Sequence, residues 1–174
     1  MHAAQDSSGQ LRLGELLRAD LAANQGNPKG RLVLTSFRVA AAVRGSGRPP
    51  LWAIPVLVLH RLLVDWVLGV ELPPSVVAGP GLRIWHGTGL VVHANTRLGA
   101  DVTLRHNTTL GAKGEAHDAP APVIGDRVDI GAGAIVLGPV HVGDDAVIGA
   151  GAVVVDDVPA GATVVGNPAR VLSP

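Results

Sequence analysis

The chain has 174 residues, and fourteen Lys and Arg balance fourteen Asp and Glu, so it carries no net formal charge. That balance lacks the basic excess demanded by a nucleic-acid backbone, which excludes nucleic acid as a partner. Hydrophobic residues at 47% against 16% charged exclude a disordered chain, and the absence of cysteine excludes disulfide scaffolds, thiol nucleophiles and thiolate metal sites.

Residues 1–70 carry helical signals and form the first region. They open without a basic stretch leading into an apolar run, so the expected location is the cytoplasm. Leu13, Leu16, Leu17 and Leu21 recur at helical spacing, and Gly26-Asn27-Pro28 stops that helix. Leu32 to Val43 is a second apolar segment, followed by a loop at Gly45-Ser46-Gly47-Arg48-Pro49-Pro50. Leu51 to Val70 is the most apolar stretch, yet His60, Arg61 and Asp65 sit in its middle, where a membrane span tolerates charge poorly. Arg61 and Asp65 lie one helical turn apart and are placed to pair. The segment reads as a buried helix or a subunit contact. A helix resting on a membrane surface, at the inner face, is the competing reading.

Residues 71–174 differ in texture. Aliphatic residues return every six positions at Ile124, Ile130, Val136, Val142, Ile148 and Val154, and a second small apolar residue follows each by four. The same step runs upstream through Val92, Leu98, Leu104 and Leu110. A period of six matches neither an amphipathic helix nor a long alternating strand. It fits hexapeptide repeats, in which each hexapeptide forms one side of a coil and successive coils pair over an aliphatic column. The fold class is therefore mainly β: a parallel β-helix of hexapeptide repeats behind a short N-terminal α-helical region. Between Val76 and Pro174 the only aromatic is Trp85, as suits many thin layers in place of one thick core.

The period breaks twice. Leu110 to Ile124 is a step of fourteen, so residues 111–123 protrude as a loop. Upstream, Ala78, Ile84 and Leu90 follow a frame shifted by two from Val92, so two extra residues lie there.

The run Ile84-Trp85-His86-Gly87-Thr88-Gly89-Leu90, with Leu110-Gly111 before a loop, Ile130-Gly131-Ala132-Gly133-Ala134 and the closing Gly166-Asn167-Pro168-Ala169-Arg170, resembles the serine-acetyltransferase family. The resemblance extends from about Leu17 to Val171. It implies a left-handed β-helix, acetyl-CoA as acyl donor, and an acyltransferase (acetyl-CoA O-acetyltransferase). The histidine of the family's HxTG motif, the general base on the acceptor hydroxyl, falls on His86. The acidic residue that supports it, fifteen positions earlier, falls on Glu71. The chemistry fits: a hydroxyl is a poor nucleophile near neutral pH, and imidazole can take its proton during attack. A carboxylate beside the ring stabilises the imidazolium that forms.

Four departures bear on the acceptor. The family's aspartate before a proline is Asn27 here, and the aspartate preceding the histidine is Trp85. The Arg-His pair before the next repeat falls on Pro120 and Ala121. Each change removes a charge that would hold the ammonium or carboxylate of serine, and such groups are costly to bury unpaired. A Trp beside the base instead offers a flat amphipathic face to a sugar ring. Together with Thr103-Leu104-Arg105-His106-Asn107 and Glu71, it resembles the colanic-acid and exopolysaccharide O-acetyltransferase branch. The expected acceptor is a hydroxyl on a sugar or polysaccharide precursor, with Trp85, His106 and Asn27 in its pocket. Serine acetylation for cysteine synthesis is the alternative, and a non-catalytic β-helix is a third reading.

His86 and His106 each follow an aliphatic position by two, so they should occupy equivalent places on adjacent coils, about 4.8 Å apart. A zinc site like that of the hexapeptide-repeat carbonic anhydrases needs a histidine pair five apart. The gaps between successive histidines from His86 through His93, His106, His117 and His141 are seven, thirteen, eleven and twenty-four, so no metal is expected. The family positions that approach acetyl-CoA fall on Gly111, Ala112, Ala132 and Ala150, with Lys113 and Arg170 available for its phosphates. A site between β-helices implies a homotrimer, and pairing through the N-terminal helices would give a hexamer.

Overall fold

The computed structural model describes residues 12–45, 47–114 and 119–172. Helix α1 (Leu13–Ala23) and helix α2 (Pro28–Arg44) pack on each other. The start of α2 follows directly from its sequence. Asn27 Oδ1 accepts from Gly30 N at 2.9 Å, and Pro28 takes the first helical position, where its missing N–H costs nothing.

A 3-10 turn (Leu51–Ala53), helix α3 (Ile54–His60) and a π-helical stretch (Arg61–Val67) follow without a break. Only one stripe of this segment, Ala53, His60 and Val64, is buried. Its outer face, including Trp52, Leu59 and Trp66, is exposed. The segment expected as a buried helix or a subunit contact over Leu51–Val70 is thus shorter, and within this chain only its inner stripe is covered: helical backbone ends at Val67, and Val70 already belongs to the first strand. Arg61 Nε and Asp65 Oδ2 are 3.9 Å apart, a weak exposed pair one turn apart.

The rest is a parallel β-helix with three faces. On the first face Val70–Glu71, Leu90–Val92, Thr109–Gly111, Ile135–Leu137 and Val153–Val154 pair in that order. The second face stacks Val77–Ala78, Arg97–Leu98, Val123–Ile124 and His141–Val142. The third runs from Arg83–Trp85 through Thr103–Arg105, Asp129–Ile130 and Val147–Ile148 to Thr163–Val165, where antiparallel Arg170–Val171 closes it. The six-residue aliphatic positions point inward; Ile84, Leu104, Ile130 and Ile148 are essentially buried. Coil lengths follow the sequence breaks: Ile84 pairs with Leu104 twenty residues on, Leu98 with Ile124 twenty-six on, and Ile124 with Val142 eighteen on.

Arg83–Trp85 is the edge strand of its face, so one side of its backbone has no strand neighbour. Side chains of the helical layer fill that vacancy. Asp20 Oδ1 accepts from Leu82 N at 3.0 Å, and Asn24 Oδ1 accepts from Ile84 N at 3.1 Å. Asn24 Nδ2 donates to the Leu82 carbonyl at 2.8 Å and Asn27 Nδ2 to the Ile84 carbonyl at 2.6 Å. Asp20 lies on α1, Asn24 caps its end and Asn27 caps the start of α2, so the corner between the two helices meets the strand's backbone as another strand would. Asp20 is further held by the buried guanidinium of Arg38 at 2.7 Å. Arg38 also donates to the carbonyls of Ala78 and Gly79, so four hydrogen bonds hold its buried charge.

Candidate active site

The turn Trp85-His86-Gly87-Thr88-Gly89 leads from the third face to the first. Trp85 pairs with Arg105 at an offset of twenty, whereas Val91 pairs with Thr109 at eighteen. The two extra residues therefore lie in this turn, and they throw His86 out of the coil. His86 has φ 64°, a left-handed conformation uncommon outside glycine. Gly87 follows at φ 68°, where an added Cβ would fall 2.8 Å from Ile84 Cγ2. The turn thus requires a glycine after the histidine, and the histidine ring is left exposed.

His106 lies directly beneath on the next coil. The two rings are edge to face, with centroids 5.9 Å apart and planes at 74°, and His106 Nδ1 is buried with no hydrogen-bond partner among the described residues. The expected juxtaposition of the two histidines is present. On the other side the Trp85 ring stands 6.4 Å from that of His86 and is 40% exposed. Under Trp85, Arg105 is clamped by the Asp129 carboxylate and donates to the Ile130 carbonyl at 3.1 Å. Lys29, at the start of α2, donates from Nζ to Thr88 Oγ1 at 2.6 Å and fastens the turn from above. No sequence motif singled out Lys29 or Asp129, and Arg105 stood out only as part of the run over residues 103–107.

The other expected site residues fall in different places. Asn27 spends its amide on Gly30 and Ile84, so it positions the strand ahead of His86 and does not extend into a pocket. Glu71 is in register with Val91 and is exposed. It lines a cavity of about 420 Å³ with Arg44, His60, Arg61 and Asp65. Among the described residues no hydrogen bond or ion pair joins Glu71 to His86. Burial pushes the Asp65 carboxyl up, with the Glu71 charge adding to that rise. His60 is buried at the back of this cavity; Nε2 must donate to the Leu72 carbonyl at 3.1 Å, so Nδ1 accepts from Ser36 Oγ at 2.9 Å. Burial accordingly holds its pKa below the ordinary value.

Below the two histidines the same corner continues as small residues. The His106 carbonyl accepts from Gly133 N, and the Ala132 carbonyl accepts from Gly151 N, so Ala132 and Ala150 stack beneath His106. Gly111, Ala112 and Lys113 lie at the opposite edge of the first face, and Arg170 is exposed at the base of the stack. His117, expected in the loop, lies outside the described residues. Pro120 and Ala121 follow at the loop's end, Ala121 buried. Among the described residues no three of His, Asp and Glu converge as a metal site would require.

Comparison with known proteins fits this geometry. Residues 121–156 match the family described as bacterial transferase hexapeptide (six repeats). The chain is 40% identical over 121 residues to an Escherichia coli K12 protein that carries the name colanic acid biosynthesis acetyltransferase WcaB, covering 70% of this chain and 74% of that one. It is 42% identical over 146 residues to serine acetyltransferase 5 of Arabidopsis thaliana, covering 84% of this chain and 45% of that one. The chain thus spans under half the length of this plant relative. Among solved structures, the soybean serine acetyltransferase apoenzyme superposes with a TM-score of 0.81 at 36% identity, covering 92% of this chain and 69% of that one. The Brucella abortus serine acetyltransferase in complex with coenzyme A does so with 0.79 at 30%, covering 91% and 67%.

Fold and repeats define a hexapeptide-repeat transferase. Within that class, the chain belongs to the acetyltransferase family that holds the serine acetyltransferases and the colanic acid acetyltransferase.

Proposed function

We propose that this chain transfers acetyl from acetyl-CoA to a hydroxyl of a sugar, on a polysaccharide precursor, with His86 as the general base. The observation that carries the choice of acceptor is Trp85. An exposed indole stands beside the His86 ring at the position where the serine-acetyltransferase pattern has an aspartate. That face suits a pyranose, and it lacks the carboxylate that would hold a serine ammonium as an ion pair.

In this reading His86 takes the proton of the acceptor hydroxyl as its oxygen attacks the thioester carbonyl. The new C–O bond forms, the C–S bond breaks, and the proton passes to the departing CoA sulfur. No covalent enzyme intermediate is needed. His106 hydrogen-bonds the acceptor beside the base. Glu71 supports the transient imidazolium by charge from the neighbouring strand. The small residues Ala132 and Ala150 let the pantetheine arm approach the coil below the histidines. Gly111, Ala112, Lys113 and Arg170 complete the acetyl-CoA site from an adjacent copy in a cytoplasmic homotrimer.

The second reading, L-serine as acceptor, is favoured by the structural neighbours, one of which is the soybean enzyme complexed with serine. Release of free CoA, followed with L-serine and with a panel of nucleotide sugars and oligosaccharides, separates the two. Turnover confined to carbohydrate supports the proposal, and rapid turnover with L-serine overturns it.

A further inference from the structure

We propose that the outer face of residues 51–67 docks on an anionic lipid surface. The inner stripe, Ala53, His60 and Val64, packs on the protein, yet the opposite face is as apolar as a core. Leu51, Trp52, Leu59, Trp66 and Val67 are 64 to 83% exposed. Trp52 in the 3-10 turn, Leu59 in α3 and Trp66 in the π-helical stretch keep the segment apolar toward solvent along its whole length. Contiguous apolar surface of this kind on a soluble domain marks a docking site.

Three features select lipid as the occupant. A Trp stands near each end of the face, and indole favours the boundary between headgroups and acyl chains. Arg48, just ahead of the face, and Arg61, within the segment, are exposed and basic, while the nearby acids Asp65 and Glu71 line the cavity with His60, the Asp65 side chain only 26% exposed. That complements an anionic leaflet, whereas a second copy meeting this face about a twofold axis would bring like charges together. Among the described residues no helix is long and apolar enough to cross a membrane, so the segment lies in the interface plane. The inference stands apart from the choice of acceptor.

The test is sedimentation of the full chain with vesicles of equal parts phosphatidylglycerol and phosphatidylcholine, against phosphatidylcholine alone, with Trp emission recorded in parallel. The expected result is binding to the anionic vesicles with a blue shift. Trp52→Ser combined with Leu59→Ser and Trp66→Ser should weaken binding by about tenfold or more. Arg48→Glu with Arg61→Glu, which leaves the apolar face intact, should weaken it too. Circular dichroism checks that both variants fold. No binding by the wild-type chain, or equal binding by the variants, overturns the proposal. So does sedimentation equilibrium showing that the triple variant breaks an oligomer while vesicles bind neither protein, because a second copy then covers the face.

Discussion

The side-chain amide of Asn27 donates to the carbonyl of Ile84 at 2.6 Å, two residues ahead of His86. The bond ties the N-terminus of α2 to the strand that delivers the histidine, and it makes the identity of residue 27 a matter of hydrogen-bond polarity. An aspartate there would have no proton to give and would set a carboxylate against a carbonyl.

Asn27→Asp is therefore expected to lower stability by about 1–3 kcal/mol, the cost of a buried acceptor left unmet. It should not confer serine acetylation. Urea unfolding together with a CoA-release assay checks both halves; a variant as stable as the parent and active on L-serine would contradict the reading.

His86→Asn keeps a residue type tolerant of the left-handed backbone, so the turn should persist. Turnover should fall by at least the ~10²-fold that accompanies loss of a general base. The thermal midpoint, measured beside the rate, should move little. Unchanged turnover would remove His86 from the mechanism.

Trp85→Ala leaves the base and its backbone in place and deletes only the indole face. The expected result is a KM for the carbohydrate acceptor raised by about tenfold, with kcat and the KM for acetyl-CoA much less affected. Steady-state kinetics with each substrate varied in turn would reveal any other pattern.

His60 gives the fold a pH dependence. Its folded pKa lies below 6.5, so in the unfolded chain it binds a proton at a higher pH than in the native one. Stability from this group is complete above about pH 6.5 and is lost as pH falls toward the folded value. Ser36, the Leu72 carbonyl and Asp65 are the groups that face it. The Asp65 carboxyl, raised by burial above 3.8, binds its proton more readily when folded and opposes the trend. Thermal midpoints of the parent should decline between about pH 7 and pH 5, and His60→Gln should flatten the decline.

The period of six made the coils legible, because every inward position must be aliphatic whatever the chemistry outside. The two supernumerary residues were legible as a frame shift, but not as the turn that ejects His86; that follows only from the register change between Trp85 and Val91. Asp20 and Asn24 gave no motif, and Asn27 was read as a pocket residue, since the true partners of all three are backbone groups some sixty residues away in sequence. The segment over Leu51–Val67 misled for a different reason. Apolar composition records a preference for leaving water, and whether this chain supplies the cover is decided by packing.

Antiparallel Arg170–Val171 has a consequence for growth. A parallel β-helix offers, at each end, a rung of strands that another coil could extend. Here the last rung of the third face is occupied by a strand running the wrong way, and the edge at Leu82 and Ile84 is answered by helical side chains. Among the described residues the third face therefore offers no free strand edge to a second coil at either end. On this face association is left to the wall, where the histidine corner stands.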